Sequence, residues 1–388
     1  MKNNFIICLS FFIYAFLPIP SICNANNLEY LEKNCLSNNV NLNIIKDSDL
    51  APIRLIFVGD IMVHARQLDI AKSGHSYDFL PSFQHIKYFL KGDAVIGNFE
   101  TVLGGPDKGY TGYPRFNTPD ELARDLHRAG FTALMLANNH TFDQGTSGAL
   151  RTVQTLKHYG LMVTGVEAEK SKPIILNFDN TCIGIFNYTY GSNVPISSEM
   201  SKHANLNIID IESISNDILY LRQNGARFII AYLHWGEEYN PNPNQAQKDL
   251  AEVCLALGVD AIIGTHPHIL QPIDIYNVKG KARLVAWSLG NFISSQRTVP
   301  RERSVVLALD LLPSPNGPSL IWVGVVPTWV ELNSSKKIVR ILPAVPKFEK
   351  FDDDFLKRKL ISINQHIINF LKLPPYPVLL FDRLPGNL

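Results

Sequence analysis

Asp260-Ala261-Ile262-Ile263-Gly264-Thr265-His266-Pro267-His268-Ile269-Leu270-Gln271 is the stretch around which the chain is organised. Ala261 to Ile263 is a short apolar run of the kind that forms a buried strand. The strand is predicted to stop at Gly264, where glycine permits a sharp exit, and Pro267 restricts the loop that carries His266 and His268. Two imidazoles presented in this way can converge on one point, as metal ligation requires of neutral histidines. His-x-His by itself is commonly an ordinary loop. Its weight depends on what stands at the ends of the other strands.

Working outward, the chain from Pro52 alternates between strands and helices. Strands are predicted at 53–58, 94–96, 131–136, 183–186, 228–233 and 261–263. Helices are predicted at 81–90, 119–129, 148–159, 211–222 and 245–257, the second with apolar residues Leu122, Leu126 and Ala129 on one face. Strands separated by helices of this length imply an α/β fold whose sheet faces are covered. Past Leu270 the pattern changes. Runs at 273–278, 282–287, 305–311, 321–332 and 338–342 read as antiparallel strands completing a second sheet, and 351–371 reads as an amphipathic helix before Pro374-Pro375-Tyr376-Pro377.

Sites in open α/β sheets form outside the carboxyl ends of the strands. Here those ends read Gly59-Asp60 with His64 beyond, Asn98-Phe99-Glu100, Asn138-Asn139-His140 with Asp143 beyond, His234-Trp235-Gly236-Glu237-Glu238-Tyr239, and finally His266 and His268. Any one of these has an ordinary explanation, such as Asp60 or Asn139 as a helix cap. Five ends carrying carboxylates, amides and imidazoles together describe a mixed oxygen and nitrogen donor set. Two-metal hydrolytic sites use such sets to acidify a water.

The 388 residues are 46% hydrophobic and 18% charged, which is a globular balance, and the net charge of +1 gives no electrostatic basis for binding nucleic acid. Lys2, the apolar run from Phe5 to Leu17, Pro18 and Pro20, and Ser21-Ile22-Cys23-Asn24-Ala25 follow the order of a secretory signal. Residues 1–25 are therefore expected to be cleaved after Ala25, with export to the periplasm, the medium or the cell envelope. Residues 26–50 read as an Asn-rich extension, 51–345 as the main domain, and 346–388 as a C-terminal helix and tail. No Cys-x-x-Cys occurs, which argues against a thiolate zinc site, and the pairing of Cys35, Cys182 and Cys254 is not specified by their spacing.

Six motifs then carry a resemblance. Gly59-Asp60-Ile61-Met62, Asn98-Phe99-Glu100, Ala137-Asn138-Asn139-His140-Thr141-Phe142-Asp143-Gln144-Gly145, His234-Trp235-Gly236-Glu237-Glu238-Tyr239, Gly264-Thr265-His266-Pro267-His268 and Ser288-Leu289-Gly290-Asn291-Phe292 occur in the order found in the CapA family. That family comprises poly-γ-glutamate capsule synthesis proteins related to the calcineurin-like metallophosphoesterases, and the likeness spans about Arg54 to Leu309. The resemblance implies a four-layer α/β/β/α sandwich of two mixed sheets around two divalent metal ions, with Mn, Fe or Zn as the plausible identities. By motif position it implies Asp60 and His268 on one metal and Asn139, His234 and His266 on the other. His140 would stay unligated beside the scissile group as the catalytic residue. The chain departs from the phosphoesterase pattern at two places. Met62 stands where Asp-x-His expects histidine, with His64 two residues on, and Asn98 stands where a bridging aspartate is usual, with Glu100 the nearest acid.

The leading expectation is an exported metal-dependent hydrolase acting on a phosphoester, or on an amide of an anionic polymer such as poly-γ-glutamate. Arg66 and Arg115 are candidates to bind its anionic groups, and the resemblance adds Glu238 and Asn291 to the substrate side, with Gln271 and Tyr239 as further cleft residues. The alternative is a non-catalytic capsule or envelope assembly factor that keeps the fold and holds the polymer alongside partner machinery.

Overall fold

The strand Ile53–Ile61 shows why the sheets stack as they do. Leu55 and Phe57 are buried on one face and Ile56 and Val58 on the other. A strand apolar on both faces must be covered on both. In the computed structural model, which describes residues 32–35, 51–345 and 353–372, that cover is a second sheet on one side and helices on the other.

The first sheet has eight strands. In spatial order they run Ile338–Pro343, Ser319–Asn333, Arg303–Leu312, Ile53–Ile61, Ala94–Phe99, Ala133–Met135 and Met162–Thr164, with short Asn291–Ile293 beside Ile53–Ile61. The four strands from Ile53 to Met162 are parallel, and those after Arg303 are antiparallel. The second sheet has seven strands, ordered Glu32–Cys35, Ile273–Val278, Lys281–Ala286, Ala261–Thr265, Ala226–His234, Thr181–Thr189 and Ile174–Phe178. Its central four strands, from Lys281–Ala286 to Thr181–Thr189, are parallel.

Between the sheets Leu55, Phe57 and Ile96 meet Ile183, Ile230 and Ile263 in one apolar layer. Leu122, Leu126, Val153 and Leu156 of helices Glu121–Ala129 and Gly145–His158 cover the outside of the first sheet. Ile214, Leu221, Ala251 and Cys254 of helices Ile211–Gln223 and Gln245–Ala256 cover the outside of the second. This is the expected four-layer α/β/β/α sandwich of two mixed sheets. The C-terminal helix Asp354–Leu371 turns Leu356, Leu360, Ile363, Ile367 and Leu371 into the layer between the sheets. The four- and three-residue spacing of these side chains forms one helical face.

The structure corrects two expectations. The predicted helix at 81–90 is a pair of 3₁₀ turns, Leu80–Phe83 and Lys87–Leu90. Phe79, Phe83, Ile86 and Leu90 are buried at the four- and three-residue spacing of a helical face, but the backbone closes i→i+3 bonds instead, from Ser82 N to the Phe79 carbonyl (3.0 Å), Ile86 N to Phe83 (3.2 Å) and Phe89 N to Ile86 (2.8 Å). The late antiparallel strands do not complete a single sheet. Ile273–Val278 and Lys281–Ala286 extend the second sheet, whereas everything from Asn291 onward returns to the first. The return is made where Asn291 pairs in parallel with Asp60. Glu32–Cys35, within the expected extension, pairs antiparallel with Ile273–Val278. Residues 1–25, expected to be a signal, and Pro374-Pro375-Tyr376-Pro377 lie outside the described residues. Among those described, Cys182 and Cys254 are free, and no helix is long and apolar enough to cross a membrane.

Candidate metal centre

The parallel strands of both sheets end at the same edge, so their carboxyl ends face one cleft. The strand predicted to stop at Gly264 continues to Thr265. Gly264 serves close approach instead. A Cβ there would lie 2.0 Å from the Trp287 carbonyl oxygen and 2.5 Å from Trp235 Nε1. The turning is done by the histidines themselves, His266 at φ 94° and His268 at φ 59°. Left-handed backbone at a residue with a side chain costs about 1–3 kcal/mol and concentrates at functional sites. At the strand's other end, Asp260 accepts from Ile229 N (2.8 Å) and pairs with Arg222 (3.2 Å) and Arg283, which anchors the strand in the sheet.

Asp60, Asn98, Glu100, Asn139, His140, His234, His266 and His268 are all buried. Asp60 is an interior strand residue rather than a helix cap. Asn98 Nδ2 donates to Asp60 Oδ1 (2.8 Å) and Glu100 Oε2 (3.1 Å), holding two carboxylates side by side. His268 Nδ1 lies 3.0 Å from Asp60 Oδ2 and 3.1 Å from Asn291 Oδ1. His234 Nε2 lies 3.0 Å from Asn139 Oδ1, and its Nδ1 lies 3.1 Å from Thr265 Oγ1. Glu100 Oε1 is 3.7 Å from His268 Nε2 and 3.8 Å from His234 Nε2, so it stands between the two rings. Ligand atoms of Asp60, Glu100 and His234 all lie within 4.8 Å of one another, and so do those of Glu238, His266 and His268. Motif position had grouped these donors differently, and the short distance from Asp60 to His268 joins the two groups into one continuous cluster.

Two buried atoms test whether these residues suit a cation. Glu100 Oε1 and His266 Nδ1 have no hydrogen-bond partner. Leaving a buried polar atom unpaired costs about 1–3 kcal/mol, and more for a charged group. Burial, and then the neighbouring Asp60, push the Glu100 carboxyl well above its usual range. Burial also pulls His266 down to about 3, the His268 charge adding to the effect, and pulls His234 well below the usual histidine value. Neutral imidazoles and carboxylates that repel one another form a donor set that a divalent cation satisfies on both counts. The residues fit the metal.

His140 stands beside this cluster. Its Nδ1 is 2.8 Å from Asp143 Oδ2, which also accepts from Phe116 N (2.8 Å), and its Nε2 is 3.3 Å from Asn193 Nδ2. The other sequence candidates are more dispersed. His64 is half-buried at the start of helix Ala65–Ala71, where its Nδ1 accepts from Ser295 N (3.4 Å), and neither donor group includes it. Burial lowers its pKa to about 4, with His268 and His140 contributing in the same sense. Arg66 and Arg115 are exposed, Arg66 on that helix and Arg115 in the loop before Phe116. Asn291 is fully buried against His268, and Gln271 Nε2 donates to the Asn240 carbonyl (2.9 Å).

Sequence reasoning missed three residues. Asn187 bridges the sheets, accepting from Ala137 N (2.6 Å) and donating to the Tyr232 carbonyl (3.0 Å), and so sets the approach to Asn138 and Asn139. Asn193 touches both Asn139 and His140. The Tyr190 ring lies 4.5 Å from the His266 ring, centroid to centroid. All three act on partners distant in sequence, and only their position just after a strand or near its end marks them.

With the site described, the comparisons place the chain. The family described as bacterial capsule synthesis protein PGA_cap matches residues 54–296. The chain belongs to that family. Among capsule synthesis relatives, the capsule biosynthesis protein CapA of Bacillus anthracis is 27% identical over 330 residues, which cover 82% of this chain and 77% of that protein. The PGA biosynthesis protein CapA of Bacillus subtilis is 30% identical over 268 residues, covering 62% of this chain and 63% of its own length. Similar solved structures include the NAD nucleotidase NadN of Haemophilus influenzae, at 15% identity with a TM-score of 0.46, over 83% of this chain and 68% of that one. The calcineurin-like phosphoesterase YfkN of Bacillus subtilis follows at 14% identity and a TM-score of 0.43, over 83% of this chain and 99% of that one.

Proposed function

We propose that this member of the capsule synthesis family is an exported metal-dependent hydrolase that cleaves a phosphoester, or an amide of an anionic envelope polymer such as poly-γ-glutamate. The observation that carries this reading is the buried cluster with two unpaired donor atoms, Glu100 Oε1 and His266 Nδ1. Asp60, Glu100, Asn139 and His234 would hold one divalent cation, and His266 and His268 would contribute to a second. The oxygen and nitrogen donors without thiolate suit Mn, Fe or Zn. When bound, such ions supply Lewis acidity and make a water acidic enough to serve as nucleophile near neutral pH.

The chain's own residues do the rest. Asn98 keeps Asp60 and Glu100 in register through its two donated hydrogen bonds. Asp143 holds His140 through Nδ1, and the protonated ring, its Nε2 turned from Asn193 Nδ2 to the substrate, would give a proton to the leaving group or bind the charge that develops there. Arg66 and Arg115, both exposed, are available to pair with anionic groups of a long substrate outside the cleft. Asn291 Oδ1, 3.1 Å from His268 Nδ1, steadies that ring. Export rests on the charged start, apolar core and small residues of the first 25 positions.

Purified protein assayed on a chromogenic phosphodiester and on poly-γ-glutamate, with and without added Mn²⁺, tests the reading. Metal-dependent turnover of either substrate supports it, and metal binding with turnover of neither favours a polymer-holding assembly factor. Met62, buried where related phosphoesterases carry a histidine ligand, is the specific feature behind that second reading.

A further inference from the structure

The loop after strand Ala226–His234 and the loop after Ala261–Thr265 are fastened to one another. Tyr239 N donates to the Pro267 carbonyl (2.8 Å), Gln271 Nε2 donates to the Asn240 carbonyl (2.9 Å), and Gln247 Nε2 donates to Gln271 Oε1 (2.9 Å). Fastened in this way, the first loop sets Glu238 against His266 and His268, with one ligand atom of each within 4.8 Å of the others. Glu238 is exposed and the two histidines are buried. His266 Nδ1 has no partner. Three donors of oxygen and nitrogen type, one of them a buried orphan, converge here on a position that a carboxylate alone does not explain.

Backbone and ring contacts hold the carboxylate in place. Tyr239 takes a left-handed backbone, φ 65°, and the Arg301 guanidinium sits 3.3 Å above its ring centroid. A cation over an aromatic face at this distance fixes the ring. The Tyr239 hydroxyl donates a hydrogen bond to the Glu238 carboxylate. Glu237, the neighbouring acid, is turned away and accepts from Asn240 Nδ2 (3.2 Å) and Asn244 Nδ2 (3.3 Å).

We infer that Glu238 is a ligand of the second cation, completing a site with His266 and His268. This assigns Glu238 to the metal rather than to the substrate, and it rests on the metal-dependent reading above. The carboxylate reaches the cation from the solvent side, so this cation is the more exchangeable of the two. Tyr239 and Arg301 are positioning residues, since they act through Glu238.

Full-length mature protein, stripped with a chelator and titrated with MnCl₂ in a calorimeter, tests the inference without reference to catalysis. The wild type is expected to bind at two sites. Glu238→Ala and Glu238→Gln are each expected to weaken one site by at least about tenfold and leave the other as it was. Glu237→Ala serves as the control and is expected to titrate like the wild type. The Gln variant keeps an acceptor for Tyr239, so weakening in both variants traces the loss to the carboxylate charge. A wild-type isotherm for Glu238→Gln overturns the assignment and leaves the hydrolase reading standing. A wild type that binds no Mn²⁺ overturns both. Because Glu238 is exposed, its replacement is expected to leave the circular dichroism spectrum unchanged.

Discussion

Glu100 concentrates the tension between stability and function in one side chain. It is fully buried beside Asp60, and burial raises its folded pKa well above the unfolded value. A group raised in this way favours the fold fully below its unfolded pKa of about 4.5, and the contribution is lost as pH rises through the folded value. In chelator-treated protein, Glu100→Gln is therefore expected to raise thermal stability, with the gain growing as pH increases above about 4.5. The same variant should bind Mn²⁺ more weakly than wild type, because the cation is what compensates the buried charge. Thermal melts across pH with and without metal check both halves. His140→Ala belongs to the same scale. It should lower kcat by about 10²- to 10⁴-fold while metal stoichiometry is unchanged, since the ring lies outside both donor groups. Residue identities of this kind were legible in the sequence because five strand ends carry acids, amides and imidazoles together, although each alone has an ordinary explanation. What was not legible is how they are aimed. The positive φ of His266 and His268, and the contacts made by Asn193 and Tyr190, arise from partners brought together only by folding.

Single elements carry the site through close backbone approach and apolar faces. Gly264 and Gly59 stand just before segments that carry the clustered donors, and a Cβ at Gly59 would lie 1.8 Å from the Gly290 carbonyl oxygen. Gly264→Ala should destabilise the protein by about 1–3 kcal/mol and disturb the loop holding His266, because backbone rather than a flexible side chain must move. Urea denaturation and Mn²⁺ affinity read out the two effects. The C-terminal helix is an element in the same sense. Ile363 is fully buried between the sheets and Asn364 Nδ2 donates to the Ala344 carbonyl (2.7 Å). Ile363→Ala should cost about 2–5 kcal/mol, checked by the same denaturation experiment. Periodicity located this helix and most of the strands, because each has to bury a continuous stripe. It misread 81–90, where helically spaced Phe83, Ile86 and Leu90 are buried by two 3₁₀ turns, and it could not assign the late antiparallel strands to their sheets. An alternating pattern records that one face is buried, and both sheets bury the same shared layer.

At the scale of the whole molecule, two sheets with their parallel strands ending at one edge bring five short segments, spread from Asp60 to His268, into one cluster. Repeated strand–helix units were enough to indicate an α/β class, and the order of the six motifs carried the resemblance to the family and its four-layer fold. The substrate does not follow from it. Under the proposed function the strand ends would supply the bond-breaking chemistry, and exposed side chains such as Arg66 and Arg115 would be left to tell one polymer from another. Removing metal should therefore abolish turnover without unfolding the sandwich, whose apolar layers lie apart from the cluster. The most direct test of the metal centre is anomalous diffraction from crystals soaked in Mn²⁺. The expected result is density within ligand distance of Glu100 Oε1 and His266 Nδ1, the two buried atoms that lack partners. Anomalous peaks confined to the protein surface, with Glu100 and His266 unchanged, would contradict it.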